Sequence, residues 1–242
     1  TLTFLGSAPT GNVGAGALDV VIVSLSSLTI FLVPLIALLI SHDAIVGEME
    51  RGTMLLLLSY PIGRWQVIMG KFIGHVAILS FATLLGYGAA AVALAVTEGA
   101  IDSSSLAAFG SMILSSILLG GVFVAIGYLI SALVAERGTA GGIAIGVWLL
   151  CVLIYDMALL GLLVVDQGKT VSGGLLNALL LANPTDVYRL LNLGSGTAGA
   201  LSGMAGVAEN AALGPAALVA ALVAWTLVPL TAAAMVFSRR EL

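Results

Sequence analysis

Charged side chains are scarce: Lys, Arg, Asp and Glu make up 8% of the 242 residues, against about 25% in a soluble domain. A chain this poor in charge cannot cover a soluble surface of normal size. Its 60% hydrophobic content also excludes disorder, which needs low hydrophobicity and high charge. Cysteine is nearly absent. The single thiol, Cys151, leaves no intrachain disulfide and no Cys-x-x-Cys pair, and in an apolar stretch it reads as a small packing residue. Eight basic against twelve acidic residues give a formal net charge of −4, with no sign of nucleic-acid binding. A surface helix rich in Lys and Arg is missing too. What abounds is glycine, 30 residues, nearly twice the usual share of about 7%. The glycines show no collagen period, and in an apolar chain they suit helices packed closely in lipid.

The few charges mark out long apolar runs. These lie between Asp19 and His42, Lys71 and Glu98, Asp102 and Glu136, from Gly138 through Asp156 to Val165, and between Glu209 and Arg239. About 20 apolar residues cross a bilayer core of about 30 Å. The pattern predicts an all-α polytopic bundle forming one membrane domain over 1–242, with spans near 20–41, 72–96, 110–134, 140–165 and 214–237. Arg51, Arg64, Lys71, Arg137, Arg239 and Arg240 fall on one side, and Lys169 and Arg189 on the other. The positive-inside rule puts the first group in the cytoplasm, with residue 1 outside and the C-terminus inside. The stretch from Thr1 to Gly16 lacks the build of a signal peptide. The expectation is a piece that lacks a first helix, six spans being present in the intact chain, with cleavage of a signal peptide as the rival.

Two segments are more than spans. The loop from His42 to Arg64 is too long for a simple turn, and its apolar run Met54–Leu58 is too short to cross a membrane. Gly52 breaks the acidic stretch before it, Thr53 is placed to N-cap a helix starting at Met54, and Pro61 ends that helix. Arg64 and Lys71 then lead into the next span, with stems that can snorkel. The loop reads as an acidic elbow followed by a short apolar helix on the cytoplasmic surface. Such a helix either docks in a groove of a cytoplasmic protein or floats on lipid headgroups.

The outer segment, about 166–213, is the second. Leu175–Ala182 is apolar but short, Asn183 is expected to end it, and Pro184 suits the first turn of a further helix. Asp186 and Arg189 share a face at i, i+3. This predicts a re-entrant or interfacial helix pair, followed by a Gly/Ala/Ser-rich stretch from Gly194 to Gly206. It serves either as a docking surface for an outer partner or as a lid. Asp156 is the one acid inside a span, at a cost of about 2.5–3.5 kcal/mol near mid-bilayer. It is either a cation or proton site, or a carboxylate bonded to a neighbouring helix. Gly70/Gly74, Gly138/Gly142 and Gly142/Gly146 form GxxxG pairs, expected to serve packing within the subunit.

Catalytic patterns are missing from the sequence. Gly63 to Lys71 fails the P-loop pattern in spacing and in the missing hydroxyl, and HExxH does not occur. A hydrolase triad would have to draw on His42 or His75. The chain is expected to carry no catalytic residue, no metal site and no cofactor of its own.

Glu48-x-Glu50-Arg51-Gly52-Thr53, the leucine run, Ser59-Tyr60-Pro61, Arg64 and Gly70-Lys71 resemble the coupling-helix region of ABC-2 type transporter permeases. Pro34–Ala44 with Ile45-Val46-Gly47-Glu48, Gly70–His75, and the block Asn183–Leu193 are similar to the NosY-type branch of that family, the permeases of nitrous oxide reductase maturation. The resemblance implies a multi-pass permease of the bacterial inner membrane, working as a homodimer in the lipid bilayer. It implies a cytoplasmic NosF-like ABC ATPase, which would hold the ATP and Mg, and a periplasmic NosD-like protein, in copper-centre assembly. The ATPase contact would use Glu48, Glu50, Arg51, Gly52, Thr53, Met54, Leu56, Leu57, Tyr60, Pro61 and Arg64. The periplasmic contact or lid would use Asn183, Pro184, Asp186, Tyr188 and Arg189. Met112, Met157 and Met235 lie on different spans, and no Met-x-x-Met or His cluster occurs, so a mechanical role suits the sequence better than a copper path through the helices. The alternatives are an ABC-2 exporter of another cargo, such as a lipid or drug, and a scaffold or secondary transporter without an ATPase.

Overall fold

The computed structural model describes residues 17–98, 103–166, 172–193 and 213–240. Among them there are helices and no strand. In chain order these are α1 (Ala17–Ser41), α2 (Val46–Glu50), α3 (Thr53–Leu58), α4 (Arg64–Glu98) and α5 (Ser103–Leu133). They continue as α6 (Arg137–Leu149), a π turn (Leu150–Ile154), α7 (Tyr155–Asp166), α8 (Gly173–Leu181), α9 (Pro184–Leu193) and α10 (Pro215–Arg239). Five helical stretches are long and apolar enough to cross a membrane: α1, α4, α5, α6 through α7, and α10. The Asn183 and Thr1–Gly16 expectations divide here. The first falls just past α8, while the second, like the stretch from Gly194 to Gly206, lies outside the described residues.

The centre of the bundle is α5, which packs on α1, α4 and α10. Val122, Phe123, Val124 and Ala125 are consecutive and fully buried. A helix enclosed on every side must be apolar all round. Two glycines of α5 set its closest approaches. A Cβ on Gly120 would stand 2.5 Å from Leu79 Cδ2, and one on Gly127 would stand 1.9 Å from Ser41 Oγ. The paired glycines of α4 and α6 behave otherwise than expected. Among the described residues nothing lies within 4 Å of a Cβ placed at Gly70, Gly74, Gly138, Gly142 or Gly146, so the GxxxG pairs make no close approach to them. Close approach is instead made by glycines at the centre of the bundle.

An indole group ties α6 to α1. Pro34 has no N–H to give its own helix. Nearby, the Trp148 indole N–H donates to the Phe31 carbonyl at 3.0 Å. Helix α4 has 35 residues and so runs about 52 Å, well beyond a hydrocarbon core of about 30 Å. It starts at Arg64 rather than near residue 72, so its first turns extend past the apolar stretch.

Candidate functional site

The bundle carries polar structure at both ends. At one end, α2 and α3 form the elbow. The N–H groups of Ile45 and Val46 both donate to Ser131 Oγ of α5 at 3.0 Å, satisfying donors that a helix start leaves open. Glu48 Oε1 pairs with Lys71 Nζ at 2.5 Å, and the same ammonium donates to the Ala44 carbonyl at 2.7 Å. Asp43 Oδ2 pairs with Arg137 Nη2 at 2.9 Å. Glu50 Oε1 accepts the Arg137 backbone N–H at 2.6 Å. The elbow is thus tied to α4, α5 and α6 at once.

Gly52 permits the chain reversal between α2 and α3. Its φ of 71° lies in the left-handed region that side chains disfavour. Thr53 does not cap α3 as expected. It is the first helical residue, and its hydroxyl donates back to the Glu48 carbonyl at 3.3 Å. The Gly52 backbone, already turned, occupies the cap position. Met54 is buried and pins α3 to the core, while Leu55 and Leu56 are 59% and 69% exposed and Tyr60 is 64% exposed. Leu57 is half-buried. The apolar face open to a partner therefore consists of Leu55, Leu56 and Tyr60, beside exposed Pro61 and Arg51. Leu55 was missed in the sequence because nothing in a run of leucines distinguishes the face that packs.

Arg64 does not snorkel. Its Nη1 donates to the carbonyls of Phe237, Ser238 and Arg240 at 3.0, 3.2 and 2.7 Å, covering the end of α10. Arg240 in turn donates to the Ala132 and Val134 carbonyls at 2.9 and 2.7 Å. Cations thus satisfy two helix C-termini, where the macrodipole favours them. Lys71 is likewise paired rather than free in the interface.

At the other end, α8 and α9 form a helical hairpin that enters the bundle without crossing it. Ser172 Oγ caps α8 by accepting from Leu175 N–H at 3.3 Å, and Pro184 opens α9 as predicted. Helix α9 packs on α1, α5 and α10. Pro184, Asn183, Asp186 and Tyr188 are all buried. These residues are thus internal, while Ser172, Leu175 and Ala178 are exposed.

The π turn supplies the hairpin's anchor. Within it, the Tyr155 N–H bonds the Leu150 carbonyl rather than that of Cys151. The Cys151 carbonyl accepts from Asn183 Nδ2 at 2.8 Å and from Thr185 Oγ1 at 3.0 Å. Tyr155 donates its hydroxyl to the Leu179 carbonyl at 2.7 Å, and the Trp225 indole donates to Leu181 at 2.9 Å. Asp156 bonds across to the hairpin: Arg189 Nη2 lies 2.5 Å from Asp156 Oδ2, and Nη1 lies 2.8 Å from Asp186 Oδ1. Burial, and then the Asp156 carboxylate, push Asp186 up to about 7, against the pull of Arg189. Tyr188 meets Ser116 Oγ at 3.0 Å, and Ser115 donates to Asn192 Oδ1 at 3.0 Å. Ser115, Ser116, Tyr155 and Trp225 carried no local pattern that would have marked them.

The three methionines do not converge. Met112 is buried with Ile22 and Phe109, whereas Met157 and Met235 are largely exposed on the bundle's outer surface.

A family profile described as ABC-2 family transporter protein matches residues 1–242. The chain is 46% identical over 241 residues to a "Probable ABC transporter permease protein NosY" of Stutzerimonas stutzeri, covering 99% of this chain and 87% of that protein. It is 45% identical over 242 residues to a protein of the same description from Pseudomonas aeruginosa, covering 100% of this chain and 88% of the relative. With an all-helical bundle of five candidate spans and matches along its whole length, this chain belongs to the ABC-2 family of ABC transporter permeases.

Proposed function

We propose that this permease couples a cytoplasmic ATPase, seated on α3, to a periplasmic partner at the opposite end of the bundle. The observation that carries the reading is the asymmetry of α3. Met54 is sunk in the core while Leu55, Leu56 and Tyr60 stand exposed at the tip of a cross-tied elbow. An exposed apolar helix face held rigidly is suited to a groove on another protein. A push on α3 would pass through the Glu48–Lys71 pair to α4, through Ser131 to α5, and through Asp43 and Glu50 to α6.

The elbow end is cytoplasmic in this reading, since Arg51, Arg64, Lys71, Arg137, Arg239 and Arg240 cluster there. The membrane is the bacterial inner membrane, and two permeases pair with two NosF-like ATPase subunits. ATP and Mg are held by those subunits. The outer partner is NosD-like, and the pair serves copper-centre assembly of nitrous oxide reductase, as the NosY description of the relatives suggests. The role is mechanical: among the described residues, Met112, Met157 and Met235 do not converge on one soft-ligand site.

The direct test is co-purification. Leu56→Asp, alone or with Leu55→Asp, should release the ATPase while the permease stays folded. If the ATPase remains bound to the double variant, or never accompanies the unmutated chain, the reading fails. Tight stoichiometric copper in the isolated permease would overturn the mechanical role.

A further inference from the structure

We propose that Asp156 and Asp186 form one proton-binding site, in which a single proton held between the two carboxyl groups lets the α8–α9 hairpin seat against α7. The local charges call for it. Arg189 pairs with both acids, Nη2 with Asp156 and Nη1 with Asp186. Both nitrogens belong to one guanidinium, so the carboxyl groups are held side by side. One cation offsets one anion and leaves the other. Asp186 is 1% exposed, and an uncompensated carboxylate at that depth neutralises by taking a proton.

Among the described residues, no neighbour supplies a second cation. Helix α8 has no charged side chain, and α5 has none from Ser103 to Leu133. Between Val21 and Ser41 α1 has none, and α10 has none before Arg239. Cys151 and Tyr155 also face Asp186, and neither brings positive charge. Asp166, at the end of α7, is a further acid. Tyr188, on the hairpin itself, turns its hydroxyl to Ser116.

The hydrogen bonds give the proton its place. Asp186 Oδ1 accepts from Arg189, and Oδ2 accepts from Asn183 Nδ2 at 3.0 Å. The Asn183 amide is fixed in that sense. Its Nδ2 also donates to the Cys151 carbonyl at 2.8 Å, and its Oδ1 takes the Thr185 N–H at 3.3 Å. Asp156 Oδ2 accepts from Arg189, but Asp156 Oδ1 is buried and has no partner. Three of the four carboxyl oxygens thus have a donor and the fourth has none. Asp156 lies within hydrogen-bonding reach of Asp186. A proton carried by Asp186 and donated to Asp156 fills that place and removes the surplus charge together. Two carboxyl groups this close titrate as a pair.

The proton comes from water and returns to it. When the hairpin lifts from α7, Asp186 is solvated and ionises at its ordinary value of 3.8, whereas seated it keeps the proton up to about 7. Seating is therefore strongest at low pH, weakens as pH rises between those values and then levels off. A plain ion pair with Arg189 gives the opposite sign, since acid would break it.

The test is infrared spectroscopy of the full permease in lipid, with hydrogen exchange on the same samples. The C=O stretch of a protonated carboxyl, followed by pH difference, should titrate with a midpoint of about 7 and shift in heavy water. Asp186→Asn should remove it. In Asp156→Asn the midpoint should fall by about one unit, a roughly tenfold loss of proton affinity, which burial of Asp186 alone would not produce. Protection factors of the α9 amides, which cancel the intrinsic pH dependence of exchange, should fall roughly tenfold per unit from about pH 5 to about pH 7. Asp186→Asn should flatten that slope. The proposal is overturned by a titrating carboxyl band that is missing from the unmutated chain, by a midpoint that Asp156→Asn leaves in place, or by protection that rises with pH. The first and last of these need no variant, so they hold even where a substitution prevents folding.

Discussion

The carboxylate of Glu50 accepts the backbone N–H of Arg137 at 2.6 Å, so an acid of the elbow caps a helix that begins 87 residues later. That bond places a negative charge on the positive end of the α6 dipole. Glu50→Ala should cost about 1 kcal/mol, the usual loss on removing a helix cap. Glu50→Gln, which keeps an acceptor, should cost less. Thermal unfolding of the purified permease measures both, and equal losses would assign the whole effect to the charge and none to a neutral acceptor.

Arg189 holds two carboxylates at once, Asp156 at 2.5 Å and Asp186 at 2.8 Å. Removing it with Arg189→Met leaves two acids buried without their cation, a change worth about 3–5 kcal/mol. Joining it with Asp156→Asn should recover part of the loss, because one stranded charge is removed. Yield of folded protein and unfolding midpoint report the effect, and a double change that restored nothing beyond the single one would count against an electrostatic cause.

Asp186 gives the hairpin a pH dependence. Its carboxyl is raised from 3.8 to about 7 when folded. Between those limits the folded chain binds the extra proton, so this group's stabilisation is complete at low pH and is lost as pH rises toward 7. Asp186→Asn should flatten that part of the stability profile. Denaturation midpoints between pH 4.5 and 7.5 would check it, and an identical slope in the variant would refute it.

Gly127 allows α1 to end against α5. A methyl there would stand 1.9 Å from Ser41 Oγ and 2.9 Å from its Cβ. Gly127→Ala should therefore cost about 1–3 kcal/mol through overpacking. Ser41→Gly in the same chain should return most of it. Gly142→Ala, with open space around it, should be neutral or slightly stabilising from helix propensity alone.

The charge spacing in the sequence was enough to find the five long helices, because a bilayer's thickness and a helix's rise set the same length. Pro184 and the Asp186–Arg189 pair were equally plain, being local patterns. What escaped notice depends on partners distant in sequence. Glu50 meets Arg137, Arg64 meets the end of α10, and Asn183 meets Cys151, and none of these pairs leaves a periodic trace. The role of Thr53 was misread because its hydroxyl could serve either helix end, and the φ of Gly52 decided between them. The GxxxG pairs show that a motif marks where close approach is possible, while packing decides where it happens.

The π turn at Leu150–Ile154 sets the phase of everything after it. One residue of offset in a helix turns the following side chains by about 100°. Asp156 follows the turn directly, and its aim at Arg189 depends on that rotation. A chain shortened by one residue there would keep its composition, its span and its hydropathy. Its acid would point to another quarter of the bundle, and the hairpin would lose its anchor with no residue of the ion pair changed.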